Sequence, residues 1–138
     1  MAGLRAILAA LAAGAALPGA WATSAPRSFY EHFPGVSAWV APLGPYDGHL
    51  VGDVGAFYVA FAVLFAWAAW RPAGELVLPL CAAWALFSVL HLAWHAAHTA
   101  PFSAADATAM LGSLALVLLL PGAAAVLAVQ RRPEQAPT

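Results

Sequence analysis

The chain has 138 residues, of which 64% are hydrophobic and 8% charged, and it contains no lysine. A soluble domain carries charge on about a quarter of its residues, so the composition excludes that class and indicates an integral membrane protein. The formal net charge of −1 also excludes the basic surface that nucleic acid would require.

Four apolar segments are each long enough to cross a bilayer, which takes about 20 residues of helix. They cover residues 4–22, 51–70, 76–97 and 104–129, and a polar tail follows at 130–138. The sequence therefore predicts one transmembrane domain, an all-α bundle of four membrane-spanning helices. The single cysteine, Cys81, lies within the third segment and cannot form an internal disulfide.

The first segment also has the pattern of a signal peptide. Arg5 precedes the apolar run, and Ala20-Trp21-Ala22 has the form of an Ala-x-Ala cleavage site. We expect the segment to remain attached, because its removal would leave three spans and place the C-terminus outside. That position would contradict the distribution of arginines described below.

Residues 23–50, between the first two spans, are predicted to form a long, partly helical loop outside the cytoplasm. Residues 26–33 have the pattern of a short helix that a proline and a glycine terminate. Phe29, Tyr30 and Phe33 give this helix an apolar side. We expect it to lie at the membrane interface, where it covers the mouth of the bundle.

The start of the fourth span carries a helix-capping pattern. Ser103 is followed three residues later by Asp106, a pair similar to a capping box. The acidic side chain lies in the first turn, where the helix dipole favours an anion. The pattern predicts a helix that begins at residue 104.

The arginines predict the orientation in the membrane. Four of them fall on the same side of a four-span bundle, namely Arg5, Arg71, Arg131 and Arg132. Only Arg27 falls on the other side. Positive charge concentrates on cytoplasmic loops, so we expect both termini in the cytoplasm of a bacterial cell and the bundle in its inner membrane.

Histidines supply the main hint of chemistry. His91, His95 and His98 are spaced so that they share one face at the end of the third span. Imidazole nitrogens bind zinc, copper and haem iron, so one hypothesis is a metal or haem site formed by these three residues. The alternative is structural: His95 and His98 lie among the lipid headgroups, and His91 supports helix packing.

A second hypothesis is a ligand or proton site near the start of the second span. Its residues are Asp53, His49, Tyr58 and His91. Ionisable groups inside a membrane are costly unless they are paired. Asp53 and His91 lie at similar depths if the second and third spans run in opposite directions, so we predict that they face each other.

Several short motifs resemble those of a group of bacterial membrane proteins. They are Ala25-Pro26-Arg27-Ser28-Phe29-Tyr30, Phe33-Pro34-Gly35, Pro45-Tyr46-Asp47, His49-Leu50 and Asp53-Val54-Gly55-Ala56-Phe57-Tyr58. In these motifs the chain is similar to uncharacterised small membrane proteins of high-GC bacteria and to the broader DoxX-like four-helix group. The resemblance implies a four-helix bundle in a membrane. Some members of that group are linked to quinol oxidase complexes, but the resemblance transfers no catalytic residue.

Three classes of function are open from the sequence. The first is an accessory or structural subunit that contacts the lipid bilayer and either other membrane subunits or a second copy of the chain. The second is a metal- or haem-binding redox protein that uses the histidine cluster. The third is a small-molecule carrier or membrane enzyme with a polar pocket between the second and third spans. An enzyme is the less favoured outcome, because the sequence contains no recognisable catalytic motif.

Overall fold

The computed structural model describes residues 1–130, and every regular element in this range is helical. The α-helices are α1 (Ala2–Ser24), α2 (Pro26–His32), α3 (Gly48–Trp70), α4 (Gly74–Ala97) and α5 (Ala104–Val129), and a short 3-10 helix covers Ala41–Leu43. The predicted C-terminal tail lies outside the described residues from Arg131 onward.

Helices α1, α3, α4 and α5 are long and apolar enough to cross a membrane. This confirms the all-helical fold and the four long apolar helices that the sequence predicts. Large apolar side chains cover the outside of the bundle, among them Leu86, Leu90 and Leu119, which are 63%, 63% and 68% exposed. Soluble proteins rarely expose extended apolar surfaces, whereas contact with lipid chains accounts for them.

Side-chain caps decide where two of the long helices begin. Helix α3 begins earlier than residue 51, the predicted start, because the Asp47 carboxylate accepts the amides of His49 at 3.0 Å and Leu50 at 3.1 Å. These are two of the four amides that a helix N-terminus leaves without partners. At α5, Ser103 Oγ accepts the Asp106 amide at 3.1 Å and donates to its carboxylate at 2.7 Å. The cap therefore forms as the sequence predicts.

The connection between α1 and α3 differs from the long loop that the sequence predicts. Helix α2 begins at Pro26, with only Ala25 between it and the end of α1, and proline is well suited to the first position of a helix. Residues 33–47 then return the chain to α3. The Tyr30 hydroxyl holds this segment by donating to the carbonyls of Gly44 at 2.6 Å and Ala41 at 3.3 Å.

The bundle consists of two closely packed pairs, α1 with α3 and α4 with α5. Helices α1 and α5 join the pairs, whereas the backbones of α3 and α4 stay farther apart and the two helices meet through aromatic side chains. Two glycines allow the close contact between α1 and α3. A Cβ at Gly19 would lie 2.9 Å from the Val59 nitrogen, and a Cβ at Gly55 would lie 2.8 Å from the Thr23 nitrogen. Small residues of this kind let membrane helices approach one another.

The hydrophobic core fills the half of the bundle that contains the start of α1 and the turn between α3 and α4. Leu4, Leu8, Phe65, Val77 and Trp84 are all 2% exposed or less. We call this half the terminal end, and we call the opposite half, which carries α2, the α2 end. At the α2 end the helices enclose a cavity.

Candidate functional site: an apolar cavity with one polar wall

A cavity of about 960 Å³ occupies the α2 end of the bundle. Small-molecule sites in proteins typically have volumes of about 300–1,000 Å³. All four long helices contribute side chains to its walls. It therefore lies between the two helix pairs, where the backbones of α3 and α4 are farther apart than those within each pair.

Most of the cavity surface is apolar. Helix α1 contributes Leu11, Gly14 and Leu17, and α5 contributes Val117 and Leu120. Gly14 opens the α1 wall, since no atom lies within 4 Å of the position that its Cβ would occupy. The space between α1 and α5 is suited to a hydrocarbon chain.

Aromatic side chains cover the cavity at the α2 end. Phe29, Phe33 and Trp39 line it, and the Trp21 ring contacts Phe29 and Phe33 at centroid distances of 5.9 and 6.3 Å. Trp39 Nε1 donates to the Asp106 carboxylate at 3.4 Å. Helix α2 and the residues after it are thus attached to both α1 and α5, with the apolar side of α2 facing the cavity.

The polar wall is formed by Tyr58 of α3 and by His91 and His95 of α4. The rings of Tyr58 and His91 both contact Phe87, at 5.7 and 5.3 Å between centroids. The centroids of His91 and His95 are 4.5 Å apart. Within residues 1–130, neither the Tyr58 hydroxyl nor the His91 ring forms a hydrogen bond, and neither is sealed from the surface. These groups are therefore available to a molecule in the cavity.

Two further polar atoms at the cavity are buried without partners among the described residues: Nε1 of Trp84 and Nδ1 of His95. Trp84 is 1% exposed, and its ring contacts Tyr58 at 5.5 Å. A buried polar group without a hydrogen bond costs about 1–3 kcal/mol. Both atoms are also closed to solvent, so, within residues 1–130, the unpartnered groups of this wall that a molecule in the cavity can reach are the Tyr58 hydroxyl and the His91 ring.

The cavity has no charged lining in the part of the chain that the structure describes. Its lining residues include no aspartate, glutamate, lysine or arginine. The hydroxyl of Ser113, which also lines it, already donates to the Met110 carbonyl at 2.7 Å. Tyr58 and the two histidines are consequently the side chains best placed to orient a ligand.

Contrary to the prediction, Asp53 does not pair with His91 in the described structure. Its Oδ2 lies 3.5 Å from Nδ1 of His49, and the side chains of His49 and Asp53 are 87% and 65% exposed. Each residue advances a helix by about 100°, which puts His49 and Asp53 on the face of α3 opposite Val51 and Tyr58. The structure therefore brings Tyr58 and His91 to one cavity and leaves the other two residues of the predicted ligand site on the outer surface.

The three histidines at the end of α4, of which His98 follows the last helical residue, do not converge on one point. The His98 ring stacks on Trp94 at 4.0 Å, and its Nδ1 donates to the Trp94 carbonyl at 2.6 Å. Among residues 1–130, no group of three or more His, Cys, Asp or Glu is placed to hold a metal ion. The structure brings together only His91 and His95 of the predicted metal set.

The sequence reasoning missed Gly14, Trp84 and Phe87. A signal for Trp84 was present, since Trp84, His91 and His95 are separated by seven and four residues and so share one face of α4. Gly14 lies in an alanine-rich helix where nothing in the sequence marks it. Its contribution to the cavity depends on the packing of α5 against α1, because both helices line the same space.

No protein family matches this chain, and no curated protein or solved structure is significantly similar to it. The resemblance to the DoxX-like group therefore stays a prediction. The fold and the site define a helical protein with four candidate membrane spans and a ligand-sized cavity, and its function has to be argued from that cavity.

Proposed function

We propose that this protein binds a lipophilic small molecule in the cavity at the α2 end, as a membrane-embedded binding protein or carrier. One observation carries the proposal: an apolar cavity of about 960 Å³ has a single polar wall, on which the Tyr58 hydroxyl and the His91 ring have no hydrogen-bond partner among the described residues. Ligand sites commonly combine an apolar lining for affinity with a few polar groups that fix orientation.

A photoactivatable lipid tests this proposal. The protein is placed in phosphatidylcholine nanodiscs with a long-chain alcohol that carries a diazirine, and labelled peptides are identified after irradiation. We expect labels between Trp84 and His95 that an excess of the unmodified alcohol removes. Labels near Leu119, which is 68% exposed, should resist competition because contact with bulk lipid does not saturate.

Two glycine variants make the test specific to the cavity. Neither Gly14 nor Gly112 has an atom within 4 Å of its Cβ position, but only Gly14 lines the cavity. Gly14→Phe should fill the space and abolish the competable labelling, whereas Gly112→Phe should preserve it. Equal competable labelling in the two variants would exclude the cavity as the binding site.

We also propose that both termini face the cytoplasm of a bacterial cell and that α2 lies outside it. Arg5 and Arg71 support this orientation, because they belong to the same end of the bundle: Nη2 of Arg5 lies 3.5 Å from the Trp70 carbonyl oxygen. Arg27 belongs to the other end. Reporter fusions after residue 138 and within residues 33–47 test the orientation, and a reporter active outside the cytoplasm at residue 138 would contradict it.

A second candidate function is metal or haem binding, and the contact between the His91 and His95 rings at 4.5 Å favours it. Two imidazoles leave coordination positions that water or the bound molecule would have to fill. Elemental analysis and an absorption spectrum of the purified protein test this candidate. Stoichiometric zinc or copper, or a Soret band, should disappear when both histidines are replaced by leucine. If neither lipid nor metal binds, a role as an accessory subunit remains.

A further inference from the structure

We propose that the molecule bound in the cavity is an uncharged lipid with a terminal hydroxyl or carbonyl oxygen, and that this oxygen binds between Tyr58 and His91. The inference rests on the proposed function and names the class of its ligand. Three observations support it: the uncharged lining, the pair of unpartnered polar groups, and the apolar wall on the far side of the cavity.

The charged side chains near the α2 end interact elsewhere. Arg27 forms an ion pair with Glu31 at 2.9 Å, and Asp106 accepts hydrogen bonds from Ser103 and Trp39. The lining contains no charged residue within the described chain. A phosphate or carboxylate inside the cavity would therefore lose its hydration without gaining a permanent cation from lysine or arginine, and an amine would lack an anion. This disfavours phospholipid headgroups and ionised fatty acids.

Tyr58 and His91 provide the hydrogen bonds that a neutral oxygen requires. The Tyr58 hydroxyl donates and accepts, and a neutral imidazole has one donor and one acceptor nitrogen. Both rings contact Phe87 from different helices and line the cavity, so the ligand oxygen is assigned to the part of the cavity beside that ring. A ligand hydroxyl can accept from Tyr58 and donate to His91, while a carbonyl can accept from either.

The remainder of the ligand is assigned to the opposite wall. Leu11 and Leu17 of α1 and Leu120 of α5 line the cavity there, and the missing side chain of Gly14 leaves room between them. Burial of a hydrocarbon chain contributes about 0.8 kcal/mol for each CH₂ group. Most of the affinity should therefore come from the chain, and the hydrogen bonds should select the polar end.

The experiment compares three competitors of equal chain length against the diazirine alcohol in nanodiscs: the unmodified alcohol, the fully ionised carboxylic acid and the alkane. In the wild-type protein the alcohol should compete best. One net hydrogen bond corresponds to roughly a three- to tenfold difference in affinity, so the alkane should be weaker by about that factor. The acid should be the weakest competitor.

Variants test the two residues directly, and each has a matched control. Tyr58→Phe and His91→Leu should each reduce competition by the alcohol roughly three- to tenfold and leave the alkane unchanged. Tyr46→Phe and His98→Leu remove the same groups from residues that do not line the cavity, and neither should have an effect. Since Tyr58→Phe removes a single oxygen, it keeps the test valid if His91→Leu fails to fold.

The outcomes separate this inference from the proposal on which it rests. If the alkane competes as well as the alcohol, and Tyr58→Phe changes nothing, the cavity binds lipophiles without selecting an oxygen and only the inference fails. If the ionised acid competes best, the ligand is charged and the inference is also overturned. If no competitor removes label from the cavity peptides, the proposed function itself fails.

Discussion

Single residues determine how closely α1 and α3 pack and where Tyr58 lies on the cavity wall. A Cβ at Gly19 would lie 2.9 Å from the Cβ of Tyr58, so a larger residue on α1 would displace that side chain. Gly55 is equally confined, because its Cβ position lies 2.9 Å from the Cβ of Ala22. The two glycines therefore position part of the site as well as the helices.

Gly55→Ala should destabilise the protein by about 1–3 kcal/mol, the usual cost of overpacking. The new Cβ would lie 2.8 Å from the Thr23 nitrogen, so α1 and α3 would have to separate. Gly52→Ala on the same helix is the control, because no atom lies within 4 Å of its Cβ position. Thermal unfolding in detergent, followed by circular dichroism, measures both. Equal melting temperatures would show that the close contact contributes little.

Asp53→Asn should have almost no effect on stability. Asp53 and His49 are 65% and 87% exposed, and surface ion pairs contribute about 0.2–1 kcal/mol. The variant should also bind the diazirine alcohol as the wild-type protein does, since Asp53 does not line the cavity. Unfolding and labelling measurements check both statements. A loss of competable labelling in this variant would show that Asp53 contributes to the binding site.

At the scale of elements, the segment that covers the cavity depends on few hydrogen bonds. The Tyr30 hydroxyl donates to the Gly44 carbonyl at 2.6 Å, and Trp39 Nε1 to the Asp106 carboxylate at 3.4 Å. It is also attached to α1 by a hydrogen bond that Trp21 Nε1 donates to Ser28 Oγ at 3.2 Å and by the ring contacts of Trp21 with Phe29 and Phe33. We therefore expect the cover to open more readily than the helices that it joins.

Tyr30→Phe should increase amide hydrogen exchange in residues 33–47 by about fivefold, the equivalent of one net hydrogen bond. Tyr46→Phe is the matched control, because the Tyr46 ring contacts Tyr30 at 5.3 Å and Arg27 at 5.0 Å, and no hydrogen bond of its hydroxyl is found within residues 1–130. Mass spectrometry after exchange compares the two variants. Equal exchange would mean that the ring contacts alone hold the cover.

Helix α1 is expected to remain part of the mature protein. It contributes Leu4, Leu8 and Leu11 to the core, and each is 3% exposed or less. Its loss would expose the face of α3 against which it packs and would remove one wall of the cavity. Intact-mass measurement on the purified protein checks this expectation. A chain that begins at Thr23 would show that the signal-peptide interpretation was right.

At the scale of the whole molecule, hydropathy was sufficient to predict the four spans because each segment exceeds the length that a bilayer requires. The cap at Ser103 and the short helix that starts at Pro26 could also be predicted from the sequence, since both depend on local backbone chemistry. The path of residues 33–47 from α2 back to α3 could not be predicted, because the hydrogen bonds of Tyr30 that hold it join residues that are distant in sequence.

The candidate site could be predicted only in part, for a related reason. Depth in the membrane follows from position along a helix, so the sequence correctly brings Tyr58 and His91 to the same half of the bundle. Direction around the helix axis does not follow, because residues that face lipid and residues that face the core are both apolar. Asp53 therefore lies beside His49 on the exposed face of α3, and not on the face of Tyr58 that lines the cavity.

The uncharged lining of the cavity has a consequence for energised membranes. Moving one elementary charge through a membrane potential of 100 mV changes its energy by about 2.3 kcal/mol, which would bias the occupancy of a site for ions. The lining residues described here carry no aspartate, glutamate, lysine or arginine, and a neutral lipid adds no charge. Occupancy should therefore follow the abundance of the lipid in the bilayer and stay constant when an ionophore collapses the voltage.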